Sequence, residues 1–204
     1  LFEDKIHKNE GSENVNPLHW EFGHIVYFWI ENTIKNLKYP IEKNLKNEYL
    51  FDSFKTDRET RFNSLDEIDS IDIIKKCYDS ITINTIIKLT QLQIFQNKLD
   101  PITSYLINLS LLHNHMHLES FCFSLQLLNF PKPVSENLFN PIIQSDVDCE
   151  NNFIKIKGDT FLQGWNDTDD NFTFDNEKPS FQTHVKDFSV SKFPVTQGQF
   201  INFI

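Results

Sequence analysis

Cysteine, glycine and positive charge are all scarce in this sequence of 204 residues. The three cysteines, Cys77, Cys122 and Cys149, are odd in number, far apart and free of any CxxC pairing. That pattern argues against a disulfide framework and for a reducing compartment, so a cytoplasmic protein is expected. Lysine and arginine total 19 against 29 acidic residues, a net charge of −10. Nucleic-acid binding rests on a basic surplus that neutralises phosphates, and no such partner is expected here. No run approaches the roughly 18–20 apolar residues that span a bilayer, so no membrane partner is expected either. The few glycines and alanines, set against abundant Asn, Ile, Lys and Phe, fit a low-GC genome and say little about function. No internal repeat or low-complexity tract stands out. The chain opens on Leu1 and stops in the apolar pattern "FINFI", which reads as a piece of a longer protein.

What is present suffices for a packed core: 39% of residues are hydrophobic and 20 are phenylalanine. Pro17 suits the opening turn of a helix, and the following apolar run predicts helix over about 17–37. "YPIEKNLKNEYLFDSF" predicts a shorter helical connection, and "KTDRETRFNS" a polar turn. A second long helix is expected from Ser64, whose spacing to Glu67 matches a capping box. Asp100 as N-cap and Pro101 at the first helical position open a third, which ends before Pro131 and Pro133. Three or four such helices suggest an up-and-down bundle, in which sites are built from side chains facing inward. An acidic linker with prolines covers 134–150, and a second domain of short alternating strands starts near 151.

Three of the seven histidines crowd into "LLHNHMHLESF". On a helix His113 and His117, four apart, share a face, while His115 points nearly opposite, toward a stripe of Leu111, Leu118, Cys122 and Leu125. His115 therefore reads as a partly buried packing residue. The face of His113 and His117 also carries Leu106, Ser110, Ser120 and Ser124, small hydroxyls that leave room beside the imidazoles. Two neutral imidazoles at this spacing form a claw for a borderline transition metal, but the pair needs a third ligand. The candidate is His24 on the first helix; His19, near the helix end, is expected to be exposed.

At these residues a family becomes recognisable. "NPLHWEFGHIVYFWIE" resembles the first-helix motif of the DinB-like domain of ergothioneine sulfoxide synthases, "SPxxWHLGHTTWFFE", and "HNHMHLE" resembles their third-helix "HExQHQE". "YLFDSFKTDRETRF" is similar to their "LFDSYxVxRxxR" segment. From residue 154 on, "IKIKGDTFLQG" and "FTFDNEKPSFQTHVKDFSVSKFPVTQGQFINFI" resemble the opening of the formylglycine-generating-enzyme-like domain that follows in the same enzymes.

The resemblance implies an α+β chain: a DinB-like helical bundle over 1–133, the linker, and over 151–204 the truncated first part of an irregular α/β domain of C-type-lectin-like fold. It implies Fe(II) held by His24, His113 and His117, and a thiol substrate whose carboxylates are gripped by Arg58 and Arg61. Taken as residues alone, those arginines read equally well as solvated charges. The reaction implied is O2-dependent C–S bond formation between cysteine or γ-glutamylcysteine and the ring of N-trimethylhistidine. The tyrosine that donates a proton is expected beyond residue 204, so the chain by itself is expected to bind metal without turning over. Glu21 replaces the family's histidine after the tryptophan, and Asn114 and Met116 replace Glu and Gln beside the ligands. The glutamine contacts the betaine in the family, so Met116 bears on which substrate is taken. Selenoneine and ovothiol synthases share the architecture, and a metal-dependent thiol transferase would use the same three histidines. Glu31, two turns from His24, is a possible outer partner of the site or an exposed carboxylate at the helix end.

Overall fold

The computed structural model describes residues 14–37, 45–94, 99–131, 152–166 and 172–204, with the backbone alone for 92–94. The chain divides into two compact units, Leu1–Val134 and Ser135–Ile204. The first is helical and the second carries short antiparallel strands, a mixed α+β chain. The linker expected over 134–150 lies outside the described residues.

In the first unit α1 (Leu18–Trp29) buries residues on every side, among them Trp20, Ile25, Val26 and Trp29. A helix buried on every side belongs in the middle of a packed unit. It meets α4 (Ile71–Ile94), α5 (Pro101–Leu127) and a 3₁₀ turn at Glu48–Phe51. The core joins Trp20, Val26, Ile30, Ile34, Phe51, Ile74 and Ile81. Each fully buried aliphatic side chain of this kind contributes about 1.5–3 kcal/mol.

The first helix departs from the sequence reading in one respect. After Trp29 it widens into a π-helical turn at Ile30–Ile34, then closes with α2 (Lys35–Leu37). At this turn the buried Thr33 hydroxyl meets the Ser110 hydroxyl at 2.9 Å and donates to the Leu106 carbonyl of α5 at 3.1 Å.

Two further expectations are corrected. "KTDRETRFNS" holds a helix, α3 (Arg58–Asn63), because Asp57 caps it by accepting from the Thr60 amide. Ser64 ends that helix instead of starting the next one. Its hydroxyl donates back to the Thr60 carbonyl, and α4 begins only at Ile71. The Asp100 cap and Pro101 of α5 stand as read, with the Asp100 carboxylate accepting from the Thr103 amide at 3.0 Å.

The sequence reading also misplaces the α5 stripe around His115. Leu111, Leu118 and Cys122 are exposed with it, and of that stripe only Leu125 is buried. The buried positions of α5 are Ser110, His113, Ser124 and Leu125, so this helix turns a largely polar line inward.

In the second unit β1 (Phe153–Ile156) pairs with β4 (Phe188–Ser191), and β2 (Asp159–Gln163) with β3 (Phe181–Val185), all antiparallel. The register is continuous between the two pairs, so they are the halves of one long ribbon. At the break the Gly158 amide donates to the Asp187 carboxylate at 2.8 Å. A side chain at 158 would collide with backbone, since a Cβ there falls 2.5 Å from the Lys186 carbonyl carbon. A short helix, α6 (Gln197–Phe203), follows, capped by Thr196 and Gln199 in a capping box. Among the described residues no helix is long and apolar enough to cross a membrane.

Candidate metal centre

The i, i+4 spacing on α5 puts His113 and His117 one turn apart on one face, and their Nε2 atoms lie 3.2 Å apart. Across the helix interface His24 of α1 brings its Nε2 to 3.3 Å from that of His113. The three ligand atoms lie within 4.8 Å of one another. With metal–nitrogen bonds of about 2.1 Å, two imidazole nitrogens stand roughly 3.0 Å apart at a right angle and roughly 3.4 Å apart at a tetrahedral angle. The observed 3.2 and 3.3 Å lie between these limits, so each of these two pairs has the spacing of ligands to one ion.

Proton placement fits as well. His24 Nδ1 lies 2.7 Å from the Phe51 carbonyl oxygen, which can only accept, so Nδ1 carries the hydrogen and Nε2 the lone pair. His117 Nδ1 lies 2.7 Å from Glu21 Oε1, which turns its Nε2 toward the Nε2 of His113. His113 Nδ1 is buried and has no hydrogen-bond partner among the described residues. The Nε2 atoms of His24 and His117 both face that of His113, an arrangement suited to a shared cation. Neutral imidazole suits zinc, copper, iron and nickel alike, so the three histidines lie close enough to hold a metal ion without selecting which metal.

Ring packing holds these positions. Phe28 stacks on His113 with centroids 3.7 Å apart, and Trp20 lies parallel to His24 at 5.2 Å. The Arg61 guanidinium sits 4.4 Å over the Trp20 ring. Asn114 ties three helices together beside the ligands, accepting from Trp29 Nε1 at 2.9 Å and donating to the Tyr78 hydroxyl at 3.1 Å.

Burial pushes the His24 imidazole down to about 4, only partly opposed by its hydrogen bond to Phe51. Burial likewise lowers His113 to about 3, with the neighbouring His117 and His24 adding to the shift. Both are therefore neutral near pH 7, with no proton for a metal to displace. A histidine whose folded value lies below its ordinary 6.5 stabilises the fold fully above 6.5, and that contribution is lost as pH falls toward the folded value. The metal-free protein is thus expected to lose stability between pH 6.5 and about 4, by roughly 3 kcal/mol from His24 alone. Urea midpoints across that range check this; a flat profile would contradict the buried neutral imidazole.

The other residues singled out in the sequence are placed as follows. Arg58 and Arg61 lie on α3, and both reach the segment just before α1. Arg58 Nη2 donates to the Val15 carbonyl at 2.7 Å. Arg61 donates to Thr56 O, Asn16 Oδ1 and Ser53 O, each at 3.0 Å. Three of its five N–H groups are so engaged. His115 is exposed and faces away from the three ligands' meeting point, and Met116 is exposed on the same helix.

His19, expected at the surface, is instead buried, with Nε2 2.7 Å from the Asp69 carbonyl oxygen. Glu31 pairs with Lys35 and is partly exposed. The carboxylate against the site is Glu21, which the sequence reading noted only as a departure from the family motif. One signal was available: Glu21 stands three residues before His24 on an otherwise apolar helix, hence on the same side of it. No family model matches the chain, and no curated protein matches it.

Proposed function

We propose that the protein is a non-haem Fe(II)- and O2-dependent sulfoxide synthase of the ergothioneine type, working in the cytoplasm. The observation that carries this reading is the convergence of one ring nitrogen each from His24, His113 and His117. Iron as the metal rests on the family resemblance of the motifs around those histidines. In this reading the helical unit is a DinB-like bundle, and the ribbon with α6 is the first part of a formylglycine-generating-enzyme-like domain.

The reaction joins the sulfur of cysteine or γ-glutamylcysteine to a ring carbon of N-trimethylhistidine. The thiol S–H and the ring C–H are lost, one atom of O2 ends in the sulfoxide and the other in water. Fe(II), when bound, supplies the open positions at which thiol and O2 meet. The chain's own contribution is to hold three ligands on one side of that ion. The Phe51 carbonyl fixes the His24 ring, and Phe28 and Trp20 keep water from the backs of the imidazoles. Arg58 and Arg61 are assigned to the carboxylates of the thiol substrate, because a planar guanidinium grips carboxylate bidentately.

A second reading, a metal-dependent thiol transferase or metal-binding module on the same three histidines, draws on the engagement of Arg61 with two main-chain carbonyls and Asn16. Selenoneine and ovothiol synthases remain variants of the first reading, with Met116 bearing on the choice of substrate.

Calorimetry separates these readings. Anaerobic Fe(II) is expected to bind one ion per chain, after which γ-glutamylcysteine or cysteine and N-trimethylhistidine bind to the loaded protein and not to the metal-free one. Metal uptake followed by indifference to both organic ligands would sink the sulfoxide synthase reading and leave the metal centre standing.

A further inference from the structure

We infer that Glu21 is a positioning residue for the metal: it dictates which nitrogen His117 presents and how strongly that ligand donates. The inference rests on the three-histidine reading above.

Glu21 is 0% exposed, deeper than any of the three ligands. A carboxylate in such a place is costly unless something nearby answers its charge. Its Oε1 has one partner, His117 Nδ1 at 2.7 Å. Its Oε2 has no hydrogen-bond partner among the described residues. Nor does any lysine or arginine among the described residues pair with it; its contact is with the His117 ring. Arg61 acts on it through space without pairing with it, and a cation placed among the three Nε2 atoms, one imidazole away, would supply positive charge along the His117 contact.

The three ligands are held in three different ways. His24 donates to a main-chain carbonyl, His113 Nδ1 has no hydrogen-bond partner among the described residues, and His117 alone donates to a charged group. A carboxylate behind an imidazole fixes its tautomer and raises its basicity, and loss of such an outer partner costs about 10–100-fold in metal affinity. Glu21 and His24 sit three apart on α1, so one helix supplies a ligand of its own and the brace for a ligand on α5. A plain ion pair between helices would stabilise the fold with or without metal, and would leave affinity unchanged when removed.

Zn(II) and Co(II) binding to the full chain tells these apart. For Glu21→Ala the affinity for both ions is expected to fall about 10–100-fold, with smaller losses for Glu21→Gln and Glu21→Asp. The Co(II) absorption bands should shift, with the far-UV circular dichroism of the metal-free protein retained. Unchanged affinity and an unchanged Co(II) spectrum in Glu21→Ala would overturn the assignment while leaving the metal centre intact. No uptake of either ion by the wild type would instead overturn the centre, and this role with it. Should the variants fail to fold, wild-type protein labelled with 15N-histidine and loaded with Zn(II) decides the matter. The expected result is a slowly exchanging His117 Nδ1–H with metal on Nε2; metal on Nδ1 would refute the inference.

Discussion

Alanine at position 24, 113 or 117 is expected to abolish stoichiometric metal binding, while His115→Ala binds one ion per chain like the wild type. Each of the three variants removes one of the three protein donors that, among the described residues, meet within 4.8 Å. The two that remain cannot enclose an ion on one side, and the loss should exceed the roughly 10–100-fold that follows removal of an outer partner. His115 is exposed and turned away on the same helix, which makes it the matched control. Metal content after dialysis, with circular dichroism to confirm folding, gives the answer. If His115→Ala lost the ion, or if His24→Ala kept it, the geometry proposed for the centre would be wrong.

The second large effect comes from a residue that touches no metal. Gly23→Val should destabilise the protein by about 1–3 kcal/mol or more, as overfilling a packed core does, and should weaken metal binding in step. A Cβ at position 23 would fall 2.5 Å from Cζ and 2.6 Å from Cδ1 of Phe51, and closer still to Cε1. That ring is wholly buried and cannot swing aside cheaply. Displacing Phe51 also moves its carbonyl, the group that holds His24 Nδ1 at 2.7 Å. Thermal denaturation and Zn(II) titration of the same variant test both halves of the claim. A normal melting temperature would mean that Phe51 relaxes without strain. A lowered one with unchanged affinity would mean that the His24 ring does not depend on this support.

The parts of the structure that sequence made legible are those governed by local rules. The four-residue spacing of His113 and His117 fixed their shared face, and the Asp100–Pro101 pair fixed the start of α5, because both depend on helix geometry and capping alone. Alternation and turn residues were enough to mark β1 to β4. The errors fall where a distant partner decides. Ser64 has the spacing of a cap, yet the helix that Asp57 starts runs into it and uses its hydroxyl at the other end. His19 looks like a surface residue near a helix end until the Asp69 carbonyl, fifty positions away, accepts it into the interior. Glu21 belongs to the same class: its spacing to His24 put it on the same side of the helix, but its complete burial depends on α5, which His117 brings against it. On α5 the hydroxyl face of His113 and His117 was placed correctly, and the apolar stripe around His115 was not. Ser110, His113 and Ser124 are the buried ones, because the facing helix offers Thr33 and His24 in place of hydrocarbon.

The supports behind His24 and His117 differ in kind, and this has a practical consequence. The first is a peptide oxygen, which survives every substitution at position 51 that keeps the backbone in place. The second vanishes with a single codon change at position 21. One half of the centre is thus built into the main chain and the other is open to tuning. A graded series of side chains at that one position is a means of setting the ion's Lewis acidity while all three imidazoles stay as they are.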